Sequence, residues 1–199
     1  MPGEAMHKKG ADGAQRAKRW LDATTRTRAS WTNEDEVAGG RLEFYWPHAG
    51  QEPYSFDVGG FLYGKPFDNH SFMAEVKNYS GDNLGTDYDD FLANCYLTWR
   101  ENARWANQFM FLTWHPFRIK SWTQLRDPDA IVKGCVANRR RLFGIEDEVE
   151  AQAHIDPSLV NELKDRLWVV VLSEKQEQLL ISDQDRALIV SSRIEKGLM

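Results

Sequence analysis

The chain has 199 residues, 42% hydrophobic and 28% charged, with a formal net charge of −5 and two cysteines, a composition that builds one sizeable core and excludes fibrous and disordered classes. No stretch approaches the about 18 consecutive apolar residues of a membrane span, and no apolar region follows Lys8 and Lys9 as a secretory signal requires. Cys95 and Cys135 are too few for a zinc or disulfide framework, so buried thiols in a cytoplasmic protein with no membrane partner are expected.

Ala14, Ala17 and Leu21 fall on one stripe and predict a helix over 11–24, with Gln15, Lys18, Arg19 and Asp22 around it and Asp12 as its cap. Thr25–Ser30 reads as a polar connection to Trp31 and a loop through Gly39 and Gly40. Arg41–Trp46 alternates well enough for a first sheet strand, although Leu42 and Tyr45 break strict parity. The stretches 54–63 and 70–79 are rich in aromatic and β-branched residues and are separated by the turn formers Gly64, Pro66, Asp68 and Asn69, so they are expected to form a hairpin. Gly59 and Gly60 mark a bulge, a close backbone approach or a plain weakening of the first of these strands.

A long helix is predicted from Thr86 or Asp87 to about Asn107, with Leu92, Tyr96, Trp99, Ala103 and Ala106 as its core stripe. Asp82, Asp87, Asp89 and Asp90 gather at its start without EF-hand spacing, and acids there suit the helix dipole. Gln108–Trp114 is a continuous apolar run, the pattern of a buried parallel strand reached by a helical crossover, and His115-Pro116 ends it. Then come a helix over Asp129–Phe143, an acidic linker after Gly144, a short helix from Pro157, a strand at Leu167–Leu172 and a final helix including Arg186–Lys196. Residues 1–145 are thus expected to form the core domain, and 146–199 a C-terminal α/β extension that packs on it, extending the sheet or mediating self-association.

The chemistry concentrates in the hairpin. Side chains alternate faces along a strand, so Ser55 and Asp57 point one way, and Glu75 and Lys77 share a face opposite Phe72, Ala74 and Val76. If the register sets Asp57 beside Glu75, two carboxylates and an ammonium meet on an apolar hairpin, where charges must be paired, hydrogen-bonded or metal-bound. Two carboxylates are the hard oxygen ligands that Mg²⁺ or Mn²⁺ prefers. The plainer alternative is a Glu75–Lys77 pair on a solvated strand face.

Asp57, a linker and Glu75-Val76-Lys77-Asn78 resemble the PD-(D/E)xK nuclease superfamily, over about residues 9–117. The resemblance implies an α/β restriction-endonuclease-like core, a mixed central sheet flanked by helices in the order αβββαβ. It also implies Asp57 and Glu75 as metal-binding carboxylates, the Val76 carbonyl as a further ligand and Lys77 as the catalytic lysine. Phe56 stands where the motif has proline, and Gln15 where many members carry a helix acid, with Glu43 as the nearest alternative acid. His115, at the end of its strand, is a further auxiliary candidate.

Basic residues cluster as Lys8, Lys9, Arg16, Lys18, Arg19, Arg26 and Arg28, and again as Arg118, Lys120, Arg126, Lys133, Arg139, Arg140 and Arg141, while acids collect at Glu146, Asp147, Glu148 and Glu150. A basic face can coexist with an acidic total, and solvated helix faces are the plain alternative. Lys8, Lys9, Arg16, Arg19, Asn78 and Tyr79 are the candidate nucleic-acid contacts. The expected activity is Mg²⁺- or Mn²⁺-dependent hydrolysis of DNA phosphodiesters, with RNA as the other substrate, in restriction, defence or repair. Two other readings stay open: an inactive nuclease-fold module for nucleic-acid binding or assembly, and an interaction protein for an acidic partner. A homo-oligomer or a motor or guide subunit are the candidate assemblies.

Overall fold

A computed structural model describes residues 2–48, 50, 52–78 and 83–198, with the backbone alone for 2–9. The first helix, α1 (Pro2–Ala23), starts earlier than its apolar stripe. It buries Ala14, Ala17 and Leu21 against Val58, Phe72, Ala74 and Val76 of the sheet. Five strands then follow before the next long helix: β1 (Thr27–Thr32), β2 (Glu43–Tyr45), β3 (Pro53–Ser55), β4 (Val58–Leu62) and β5 (Ser71–Lys77). Next come α2 (Leu84–Asn102), β6 (Gln108–Thr113), α3 (Pro128–Ala137), α4 (Arg139–Phe143), α5 (Glu148–Ala153) and α6 (Pro157–Lys164). The chain closes with β7 (Leu167–Val171), α7 (Glu174–Glu177) and α8 (Asp183–Glu195).

The protein is α/β, with a mixed five-stranded sheet in the order β1-β4-β5-β6-β7. β1, β4 and β5 run antiparallel in turn, and β5, β6 and β7 run parallel. Helix α1 lies on one face. The other face carries α2 with α3 and α6 behind it, around Phe91, Leu92, Tyr96, Ile131 and Leu163. Side chains of β6 alternate between these layers: Phe109 and Phe111 join the α2 side, Met110 and Leu112 the α1 side. Both faces are apolar, which is why the run reads as unbroken hydrophobicity. Strand β7 pairs with β6, so residues beyond 145 extend the sheet itself. Among the described residues no helix is long and apolar enough to cross a membrane.

Four expectations from the sequence differ from the structure. The first sheet strand is β1, in the stretch read as a polar connection, because α1 satisfies its polar side chains: Thr27 Oγ1 donates to the Leu21 carbonyl (3.0 Å) and Ser30 Oγ to Asp22 (2.7 Å). Arg41–Trp46 instead divides into a 3₁₀ turn at Gly39–Leu42 and the short β2, which pairs only with β3 outside the main sheet. The expected strand over 54–63 is likewise two strands, with Phe56 and Asp57 at a bend between them. The helix expected over 129–143 breaks at Asn138, whose Nδ2 donates to Asp90 (2.9 Å) and to the Gly134 carbonyl (3.1 Å).

Gly59 and Gly60 have a packing reason. A Cβ on Gly60 would lie 2.3 Å from the Ala29 carbonyl oxygen, and one on Gly59 would lie 2.4 Å from Leu42 Cδ2. The sheet irregularity lies further along, between Thr27 and Ala29 of β1, opposite Leu62 and Phe61, and the two glycines pair regularly with Trp31 and Ser30.

Candidate active site

Asp57 is placed by the strand junction. Its N–H donates to the Ala74 carbonyl (2.9 Å), and its own carbonyl accepts from the Asn33 N–H (3.0 Å). The ladder between β4 and β5 begins one residue later, at Val58 opposite Ala74. Beyond Ala74, β5 therefore runs on past the start of β4, and the Asp57 side chain fills the gap: its Oδ2 accepts from the Val76 N–H at 2.8 Å. The N–H and C=O of one strand residue point to the same side, so the Val76 carbonyl also faces that gap.

Glu75 and Lys77 share the β5 face turned to α2, as Met73 does in its core cluster. Lys77 Nζ lies 2.8 Å from Glu75 Oε1, with the two side chains 20% and 14% exposed. Burial, then repulsion from Glu75, pushes the Asp57 carboxyl up to about 8, against the opposing Val76 N–H and Lys77 charge. Burial raises Glu75 as well; Lys77 opposes the rise, and Asp87 and Asp90 of α2 add to it. Two carboxyls thus share one nearby ammonium and are held away from their ordinary charged state.

This donor set fits a hard divalent cation. Two carboxylates and a carbonyl are oxygen ligands, and a small cation of this kind keeps several waters and needs few protein groups. Among the described residues no group of three or more His, Cys, Asp or Glu side chains is positioned to hold a metal. The oxygen donors that could hold a cation here are Asp57, Glu75 and the Val76 carbonyl.

The auxiliary candidates lie elsewhere. Gln15 is exposed and lines a shallow depression with Asp12, Arg16, Arg19 and Asn78. Helix α1 packs on the face that carries Val76, opposite Glu75, so its side chains flank Asn78 instead of the acids. Glu43 accepts from the Tyr45 hydroxyl (2.5 Å) and lines a groove with Trp31, Phe44 and Trp105. His115 borders a recess with Arg16, Asn78 and Lys175.

Of the candidate nucleic-acid contacts, Arg16 is engaged within the chain. It donates through Nε and Nη2 to Glu177 (3.0 and 2.5 Å) and through Nη1 to Asn78 Oδ1 (2.8 Å), and its guanidinium lies 4.3 Å from the Trp114 ring centroid. Arg19 is exposed. Tyr79 and the side chains of Lys8 and Lys9 lie outside the described residues, as does Asp82. Much of the second basic set is paired with acids: Arg118 and Lys133 with Asp89, Arg139 with Glu148, Arg140 with Glu146 and Arg141 with Asp90.

Sequence reading missed the approach of Asp87 and Asp90 to Glu75. The usable signal was topological: a helix crossing from β5 to a parallel β6 must return over the sheet with its N-terminus near the end of β5 that carries Lys77. Cys95 and Cys135 are free and buried, and burial raises both thiols. The chain matches no protein-family model, no curated protein and no solved structure.

Proposed function

We propose that this chain is a divalent-metal-dependent nuclease of the PD-(D/E)xK type, hydrolysing DNA phosphodiesters. The observation that carries the reading is the meeting of Asp57, Glu75 and Lys77 at the gap where β5 outruns β4. The order of elements supports it. Helix α1, the sheet strands β1, β4 and β5, helix α2 and strand β6 follow the αβββαβ restriction-endonuclease-like pattern, with the aspartate entering the second of those strands and Glu75-Val76-Lys77 on the third.

Mg²⁺ or Mn²⁺ bound there would supply Lewis acidity and a water acidified enough to attack at neutral pH. Asp57, held by the Val76 N–H, and Glu75 would be the carboxylates that hold such an ion. Lys77, with Glu75 as its acidic neighbour, places an ammonium where it orients the attacking water and offsets charge developing on the phosphoryl oxygens. Basic side chains such as Arg19 would contact the backbone, which carries no sequence information directly.

The test is incubation of the purified protein with plasmid, linear and single-stranded DNA and with RNA, in Mg²⁺, Mn²⁺ or chelator, alongside Lys77→Ala. Metal-dependent cleavage lost in Lys77→Ala is expected, and undiminished cleavage by that variant would defeat the assignment. Among the described residues no group of three or more acidic, histidine or cysteine side chains is placed to hold a metal, which favours one second reading, an inactive nuclease-fold module that binds nucleic acid. Salt-sensitive DNA binding without cleavage in any metal would select it.

A further inference from the structure

On the α1 face, toward the start of β5, the sheet and the last turn of α1 leave a cavity of about 270 Å³ between them. Trp20, Leu62, Phe67, Met110 and Trp168 form its walls, with Phe67 and Trp168 set edge to face at 5.1 Å between ring centroids. Thr24 and Arg26, both exposed, also line it and mark its mouth. A cavity of about 150 Å³ is enough to hold benzene, so this one has room for a somewhat larger aromatic ring system.

Several of its polar side chains are satisfied within the chain. Thr24 Oγ1 and Thr27 Oγ1 both donate to the Leu21 carbonyl (2.7 and 3.0 Å), and Trp168 Nε1 donates to Gln108 Oε1 (2.7 Å). Tyr63 differs: it lines the cavity and is 4% exposed, and its buried hydroxyl has no hydrogen-bond partner among the described residues. A hydroxyl buried unpaired costs stability, which a bound acceptor recovers. The charge around Tyr63 is one-sided. Arg26 donates through Nε to the Tyr63 carbonyl and through Nη2 to those of Gly64 and Lys65 (all 3.0 Å). Arg193 of α8 donates to the Thr25 carbonyl and sets its guanidinium 4.9 Å from the Tyr63 ring centroid. Neither arginine has an acid as partner among the described residues.

We propose that this cavity binds a small aromatic carboxylate, its ring among Trp20, Phe67 and Trp168 and its carboxylate accepting from the Tyr63 hydroxyl in the field of Arg26 and Arg193. Aromatic walls favour a flat ring, since paired rings gain more than the area they bury. Two cations without acid partners favour an anionic head over a neutral or cationic one. An apolar, aromatic-lined recess with a few placed polar groups is the general form of a small-molecule site. It lies on the face of the sheet opposite Glu75 and Lys77 and does not rest on the proposed nuclease activity.

Isothermal titration calorimetry of the full chain with indole-3-acetate tests the proposal, with indole and tryptamine as neutral and cationic probes carrying the same ring system. Indole-3-acetate should bind most tightly, indole more weakly and tryptamine not at all. Tyr63→Phe keeps the ring and removes only the hydroxyl, so it should weaken indole-3-acetate binding about tenfold or more, the worth of a hydrogen bond to a charged group. Without ligand that variant should be at least as stable in urea as the native chain, because the hydroxyl it loses has no partner among the described residues. Arg26→Gln should narrow the preference for indole-3-acetate over indole. Failure of indole-3-acetate to bind, indole or tryptamine bound as tightly, an affinity unchanged in Tyr63→Phe, a preference unchanged in Arg26→Gln, or a Tyr63→Phe variant less stable than the native chain without ligand would each overturn it.

Discussion

The end of β5 carries two polar clusters, one on each face, and they differ in how their charges are settled. On the α1 face, Arg16 distributes its donors between Glu177 and Asn78 and stacks on Trp114, while Glu177 also accepts from Trp114 Nε1 at 3.2 Å. The hydrogen bond from Arg16 holds the Glu177 carboxyl below its usual range, as expected where an ion pair is matched. On the α2 face, burial pushes the Asp57 and Glu75 carboxyls up, and among the described residues Lys77 opposes both shifts without cancelling them. A matched cluster ties elements together, whereas carboxyls raised by burial are the kind of group whose protonation a ligand can change. That contrast separates a structural site from a functional candidate on a single strand.

Substitutions on the two faces should therefore behave in opposite ways. The largest effect is expected for Asp57→Ala and Lys77→Ala: cleavage, followed as nicking of plasmid in Mg²⁺, should fall on the order of 10²–10³-fold or more while far-UV circular dichroism is retained. Next comes Arg16→Ala, which breaks the matched cluster. It should lower unfolding free energy in urea by about 2 kcal/mol, the scale of a lost charge-assisted hydrogen bond, with metal affinity unchanged. Metal binding lost along with stability would show that the two faces are not separate.

The acids also make stability depend on pH in a defined direction. Asp57 titrates near 8 in the folded chain, well above its ordinary value of about 4, so the folded state holds a proton that the unfolded state releases. Stability of the metal-free protein is greatest below about 4 as far as this group is concerned, and declines as pH rises through about 8. Asp57→Asn should accordingly raise the melting temperature at pH 8 by a few degrees, and added Mg²⁺ should raise that of the native chain but not of the variant. A melting temperature lower in Asp57→Asn than in the native chain would count against the raised carboxyl. The smallest effect is expected for Gln15→Glu: an acid on the α1 face cannot join Glu75, so Mg²⁺ affinity measured by calorimetry should not change.

Much of the central architecture was legible in residue patterns. The α1 stripe, the hairpin of β4 and β5, the crossover through α2 and the buried β6 each have a strong local signature, because burying one or both faces imposes a period on the residues themselves. Strand β1 was not legible. Thr27 and Ser30 look like loop residues until α1 is in place to accept their hydroxyls. The bend at Phe56 and Asp57 was hidden for a similar reason: the Phe56 N–H leaves the ladder to bond the Leu42 carbonyl (3.0 Å), a partner supplied by a distant turn.

The same division runs through the candidate site. The spacing Glu75-Val76-Lys77 by itself put an acid and an ammonium on one face, since alternation along a strand needs no partner. Whether Asp57 reached them depended on where β4 begins relative to β5, and Gln15 was excluded by the face on which α1 packs. Strand register and layer order are long-range choices made by the whole core, and no local pattern around Asp57 or Gln15 encodes them. The sequence alone determined which groups were available; the tertiary structure decided which of them meet.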